Sequence, residues 1–279
     1  MKILLDHMEV ALDKNNLARY YLKSIEGKKI NLNSWVGKKL TINFQGEKQC
    51  TECGKKVEEI FKNGTCERCF RTLPTCDLCM IKPELCRFNE GKCRDEGFAK
   101  EFCFKPFYIY FSVTNDLKVG YSAMPVRRWI DQGASQGILV AKFPNRREAG
   151  RFEYRLSRIM PDKTNWIRML KGENKNIDLK KIKQDKLQGL SAEYKKYLAK
   201  EDTIKKIQYP ILKYPKKIAP LDLDKTSFFE GTLNGIRGQY FIFEDKVFNV
   251  WKHAGFMVDF QAGLASKIKF ETSSQERLF

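Results

Sequence analysis

The chain has 279 residues, room for one large domain or two to three small ones. It carries 52 Lys and Arg against 34 Asp and Glu, a formal charge of +18, and no run approaches the ~18 apolar residues of a membrane span. A membrane-spanning protein is therefore excluded as an expectation. A polyanionic partner is favoured over a merely soluble lysine-rich surface, because Lys and Arg displace the counterions condensed on a phosphate backbone.

The first residues, "MKILLDHMEV", place Asp6 and His7 where the apolar stretch of a signal peptide would continue, so a cytoplasmic protein is expected. "KKINLNSWVGKKLTINF" (Lys28 to Phe44) then alternates like half-buried strands.

All nine cysteines fall between Cys50 and Cys103. The count is odd and the compartment reducing, which argues against a disulfide framework. Cys50-x2-Cys53 and Cys66-x2-Cys69, twelve residues apart, are two knuckles whose thiolates can close a tetrahedron around zinc, with Gly54 and Gly64 at the tight turns. Cys76, Cys79, Cys86 and Cys93 make a second four-thiolate set, in which Cys103 can replace any member. Zinc or an iron–sulfur cluster suits that set, and free buried cysteines are the plain alternative. Four thiolates leave no open coordination position, so zinc there is structural. Few large aliphatics lie in this stretch, so metal binding is expected to supply its folding free energy. His7 and His253 lie far from it and are read as ordinary hydrogen-bonded residues.

The middle reads β-β-α-β-α. "FYIYFSV" (Phe107 to Val113) and "LKVGYS" (Leu117 to Ser122) are strands joined by "TND". A helix follows from Pro125 with a stop at Gly133. Arg128 and Gln132 share one of its faces, and Arg127 and Asp131 form a plain surface pair on another. "GILVAKF" is a third strand and "NRREAGRFEYRLSRIM" a second helix. Its apolar stripe comprises Ala149, Phe152, Leu156, Ile159 and Met160, and Glu153 falls inside it. A carboxylate there needs a cationic partner or a metal ion, unless it reaches water at the stripe's edge. Tyr108, Tyr110 and Lys118 share a sheet face only if the hairpin turn holds an odd number of residues, as "NDL" would.

This order, with Tyr, Lys, Arg and Glu in sequence, resembles the GIY-YIG nuclease superfamily. The resemblance implies a small sheet presenting tyrosines, an arginine from the first helix and a metal-binding glutamate from the second. "YIY" at Tyr108 to Tyr110 stands for the first motif, "KVG" at Lys118 to Gly120 for the second, with Arg128 and Glu153 following. Tyr108 and Tyr110 are alternative matches, lysine stands in place of the second tyrosine, and Gln132 stands where some members have histidine. "KVGYS…RWIDQGA", the cysteine pattern and "GIRGQYFIF" also resemble a tighter group, a bacterial family of uncharacterised proteins placed near GIY-YIG domains, over roughly Leu32 to Val258. Carried over, Glu153 holds a divalent cation such as magnesium or manganese, Tyr108 or Tyr110 takes a proton from water with a pKa lowered by Lys118, and Arg128 grips a phosphate.

"KGENKNIDLKKIKQDKLQGLSAEYKKYLAKED" is lysine-rich and helix-prone, with Ile177, Leu179, Ile182, Leu187 and Leu190 as apolar contacts and exposed lysines for phosphate. "YPILKYPKKIAP" reads as an extended linker. Ser227 to Phe260 alternates again and is expected to pair with the first strands. Its aromatics, Tyr240, Phe241, Phe243, Phe248 and Trp251, read as core before they read as a base-stacking platform beside Arg237 and Lys252. The expectation is an α+β chain. It comprises an N-terminal β segment (1–48), a zinc-ribbon-like cysteine module (49–104), a GIY-YIG-like domain (105–172), a lysine-rich helical segment (173–209) and a C-terminal β segment (210–279). The expected activity is a metal-dependent endonuclease acting on nucleic acid, DNA ahead of RNA. The alternative is a noncatalytic, zinc-stabilised nucleic-acid-binding or adaptor protein.

Overall fold

Alternation in "KKLTINFQGEKQ" makes a twelve-residue strand, Lys38–Gln49, with Leu40, Ile42 and Phe44 buried on one face. In the structure, a computed structural model describing residues 1–265, it pairs antiparallel with Phe256–Ala265 on one side and Phe228–Thr232 on the other. Lys2–Leu4 completes the sheet beyond Phe256–Ala265, so strands from both ends of the chain lie in one sheet. Residues 266–279 of the C-terminal segment lie outside the described residues.

A three-stranded sheet near the N-terminus and a four-stranded sheet built largely from 235–249 share a core with this one. Phe241, Phe243 and Phe248 are buried in that core, and Trp251 is exposed. The same core takes in Tyr110, Trp129 and Ile130 from the middle of the chain. The β-rich part is thus the bed on which the helix Pro125–Asp131 rests.

The middle forms an antiparallel sheet in the order Lys205–Lys206, Gln136–Phe143, Phe107–Val113, Leu117–Ser122. Its odd-numbered hairpin side chains, Phe107, Ile109, Phe111, Val113 and Val119, pack against Ala149, Phe152 and Leu156 of the helix Arg146–Ser157. Asn145 caps that helix by accepting from the Glu148 amide. Ile159, read as part of its buried stripe, is exposed instead, because the helix ends at Ser157 and its 3.6-residue phase ends there too. The helix Leu179–Leu187 covers the remainder of the same sheet face. One of its lysines is no phosphate binder: Lys183 is buried and holds Asp202 and the carbonyls of Ala199 and Glu201.

Two further expectations are corrected. The 209–220 stretch is extended but packed. Tyr209 donates to the Ala134 carbonyl at 2.7 Å, and Ala219–Pro220 pairs in parallel with Lys246–Val247. Arg237 is no surface cation, being 1% exposed. Its guanidinium donates to the carbonyls of Gly133 (3.0 Å), Met169 (2.9 Å) and Thr114 (2.9 Å) and to Asn174 Oδ1 (3.0 Å). No helix of the described residues is long and apolar enough to cross a membrane.

Arg237→Met removes the donors that these acceptors share, while the Met169 carbonyl keeps the Gly172 amide at 3.0 Å. Urea denaturation should show a loss of about 3–5 kcal/mol, against near-neutral change for an exposed control such as Lys252→Met.

Candidate active site and metal centre

The hairpin register decides which side chains can meet. Val113 faces Leu117 and Ser112 faces Lys118, so the turn is the three residues Thr114 to Asp116. That odd count puts Lys118 on the face of Tyr108 and Tyr110. Tyr110 sits opposite Gly120, and a Cβ at Gly120 would lie 2.5 Å from the Tyr110 hydroxyl oxygen. The missing side chain is therefore what lets the Tyr110 ring lie across the strand. Tyr110, rather than Tyr108, donates to Gln132 Oε1 at 3.2 Å, with its ring edge-on to Trp129 at 5.7 Å. The Tyr108 ring has the Lys142 ammonium 5.6 Å from its centre instead.

Burial pushes the Tyr110 hydroxyl well above the usual phenol range, and the neighbouring Arg128 guanidinium only partly opposes this. Tyr110 is also 0% exposed. The expectation that this hydroxyl loses its proton with help from Lys118 is therefore corrected: it remains a hydrogen-bond donor that orients Gln132.

Lys118 and Glu153 are the two titrating groups of this hairpin and helix that are displaced toward neutrality. Lys118 is 5% exposed, and burial, aided by Arg128, brings its pKa down to about 8, while Asp162 and Glu153 work the other way. Glu153 is half-buried, and burial, with Asp162 and Glu84 adding repulsion, raises its pKa to about 7 against the attraction of Lys118. Both values move toward neutrality for one reason: each group gives up more hydration than the other restores. Leu117–Ser122, which carries Lys118, is the open edge strand of its sheet, and Arg128 and Glu153 both act on Lys118 electrostatically.

Glu84 and Asp162 belong to this neighbourhood without a pattern in their own stretches to mark them. Glu84 arrives by docking. A Cβ at Gly150 would lie 2.0 Å from Pro83 Cγ, so the cysteine-rich segment can seat Pro83 on the helix Arg146–Ser157 only because residue 150 is glycine. Asp131 was read as a surface partner of Arg127. It faces inward instead, with His7 Nε2 at 3.3 Å and Gln239 Nε2 at 3.0 Å. His253 is likewise engaged, accepting from the Leu223 amide at 3.2 Å.

The first four cysteines form a closed site. The sulfurs of Cys50, Cys53, Cys66 and Cys69 all lie within 4.8 Å of one another. Burial raises the Cys50 thiol, but the backbone N–H groups of Cys53, Cys66 and Glu52 outweigh it and bring its pKa to about 6. Cys69 is pushed up to about 12 by burial and by the three facing thiols. Four crowded sulfurs with inward-pointing amides fit a tetrahedrally bound metal ion.

The pH dependence of stability reads the Glu153 shift. Between its ordinary value of 4.5 and about 7 the folded chain holds a proton that the unfolded chain has lost. Its contribution to stability therefore falls as pH rises through that window. In urea titrations without added magnesium, Glu153→Gln should flatten this decline and leave the protein at least as stable as wild type at pH 8.

A family model described as Protein of unknown function (DUF2797) matches residues 37–258. No curated protein and no solved structure matches the chain.

Proposed function

Because the chain belongs to the family that this model describes, which assigns no activity, we propose a function from the site itself: a divalent-metal-dependent phosphodiesterase acting on nucleic acid, with a GIY-YIG-like arrangement and structural zinc at Cys50, Cys53, Cys66 and Cys69. The observation that carries it is the electrostatic coupling of Lys118, on an open edge strand, with Arg128 and Glu153 from two helices. The two titrating groups there are displaced to about 8 and about 7. The +18 charge supports a polyanionic substrate.

Glu153 suits a hard cation such as magnesium or manganese. Such ions use one or two carboxylates and take their remaining ligands from water and substrate phosphate. When bound, such an ion polarises a phosphoryl oxygen. Lys118, with a pKa near 8, has a neutral fraction at working pH and can accept the proton of the attacking water. Arg128 can hold two phosphate oxygens side by side and stabilise charge as it develops. Tyr110 keeps Gln132 turned toward this region and excludes water from beneath it.

A second reading, a noncatalytic nucleic-acid-binding protein, is favoured by one feature: the fully buried Tyr110 cannot itself touch substrate. Plasmid nicking and RNA cleavage in magnesium and in manganese separate the two. Glu153→Ala and Arg128→Ala should each lower the wild-type rate by about 10²–10³-fold with binding retained. Cleavage equal in all three proteins marks a contaminant. Salt-dependent binding without cleavage by wild type establishes the second reading. Absence of binding even at low salt leaves a zinc-stabilised adaptor.

Elemental analysis should find about one zinc per chain at the first four cysteines, lost in Cys53→Ser together with the folded signal of the module.

A further inference from the structure

We propose that Cys79, Cys86, Cys93 and Cys103 hold a four-iron iron–sulfur cluster that fastens the cysteine-rich segment to the helix Arg146–Ser157.

These four cysteines line a single cavity of about 220 Å³ between the turns of 74–104 and the start of that helix. Cys76, the neighbour expected from sequence to join the set, does not line it.

The spacing of the sulfurs argues against a single zinc ion. A tetrahedral site with Zn–S of about 2.3 Å holds its sulfurs about 3.8 Å apart. The first four cysteines approach this, with Cys53 and Cys66 sulfurs at 3.9 Å. Among the described residues, Cys50, Cys53, Cys66 and Cys69 are the group gathered closely enough for one metal ion, and the later cysteines form no such group. The cavity they help to line is also more than ten times the roughly 10–15 Å³ that one water needs. A cuboidal cluster binds one thiolate at each corner iron and fills the centre itself.

Charge points the same way. Arg146 is 3% exposed and has no carboxylate partner among the described residues. Its guanidinium donates to the Met80 carbonyl and to the Tyr121 hydroxyl, and it lies beside the Cys103 thiol. Nε of Arg147 is buried without a hydrogen-bond partner. Both arginines line the cavity. A cluster carried by four thiolates is an anion, and these two arginines give its cavity a cationic wall.

The segment also builds little apolar core of its own. Its elements are mostly three-residue turns, and Leu78, Ile81, Leu85 and Phe104 are exposed. A bound group then supplies the folding free energy. The assigned role is structural, with no electron transfer required.

The test is purification of the full chain without oxygen, followed by iron, acid-labile sulfide and zinc analysis. About four irons and four sulfides per chain are expected, with a broad visible charge-transfer absorbance that dithionite bleaches. Cys103→Ser and Cys86→Ser should lose the iron, and Cys76→Ser should keep it. If a cysteine variant aggregates, the wild-type metal content and the Cys76→Ser protein still decide. The proposal is overturned by a second zinc in place of iron. It is also overturned by iron retained in Cys103→Ser but lost in Cys76→Ser, or by no iron after reconstitution with iron and sulfide. Nuclease activity enters none of these readouts.

Discussion

One buried guanidinium holds the parts of this chain in register. Arg237 comes from the C-terminal β segment, and its hydrogen bonds end on the hairpin turn (Thr114), the turn just past the arginine helix (Gly133), the helix Trp166–Leu170 (Met169) and the stretch after it (Asn174). These acceptors lie in turns or at a helix end. A planar fork of donors satisfies several at once, which a lysine ammonium could not do in the same geometry. Thr114 lies in the turn whose odd length puts Lys118 on the Tyr110 face. The electrostatic partnership at the sheet edge therefore depends on a contact made from the far end of the chain.

That partnership is a compromise between burial and attraction. Lys118 is buried and Glu153 half-buried, and each feels the charge of the other. Burial wins over that attraction in both, so both are displaced toward neutrality. Tyr110 lies one layer deeper, under Trp129 and the arginine helix, and its depth changes its chemistry from proton acceptor to fixed donor.

The cysteine-rich segment meets the shortage of apolar residues in two ways. Its first part draws four sulfurs into a tight cluster with amide groups pointing inward. Its second part spreads its thiols around a cavity lined also by basic side chains of the helix Arg146–Ser157. The contact of Pro83 with Gly150 joins that second part to the helix carrying Glu153 and brings Glu84 beside the site. Changes in the cysteine-rich segment should therefore be felt electrostatically at the sheet edge.

Local periodicity determined a good deal. Alternation marked the long strand Lys38–Gln49, Cys-x-x-Cys spacing marked the closed four-sulfur site, and a glutamate within an apolar helical stripe marked Glu153. Parity alone stated the condition under which Lys118 could join the tyrosines. These signals are local because side-chain direction repeats every two or 3.6 residues. Tertiary structure decided the rest: that Arg237 is a buried pin, that Tyr110 is too deep to ionise, that Glu84 and Asp162 surround Glu153, that Cys103 and not Cys76 lines the cavity, and that the proline-rich stretch is packed. Those outcomes rest on contacts between distant residues, such as Arg237 with Thr114 at a separation of 123. The burial that shifts a pKa is a property of everything packed around a group, and no short stretch of sequence carries it.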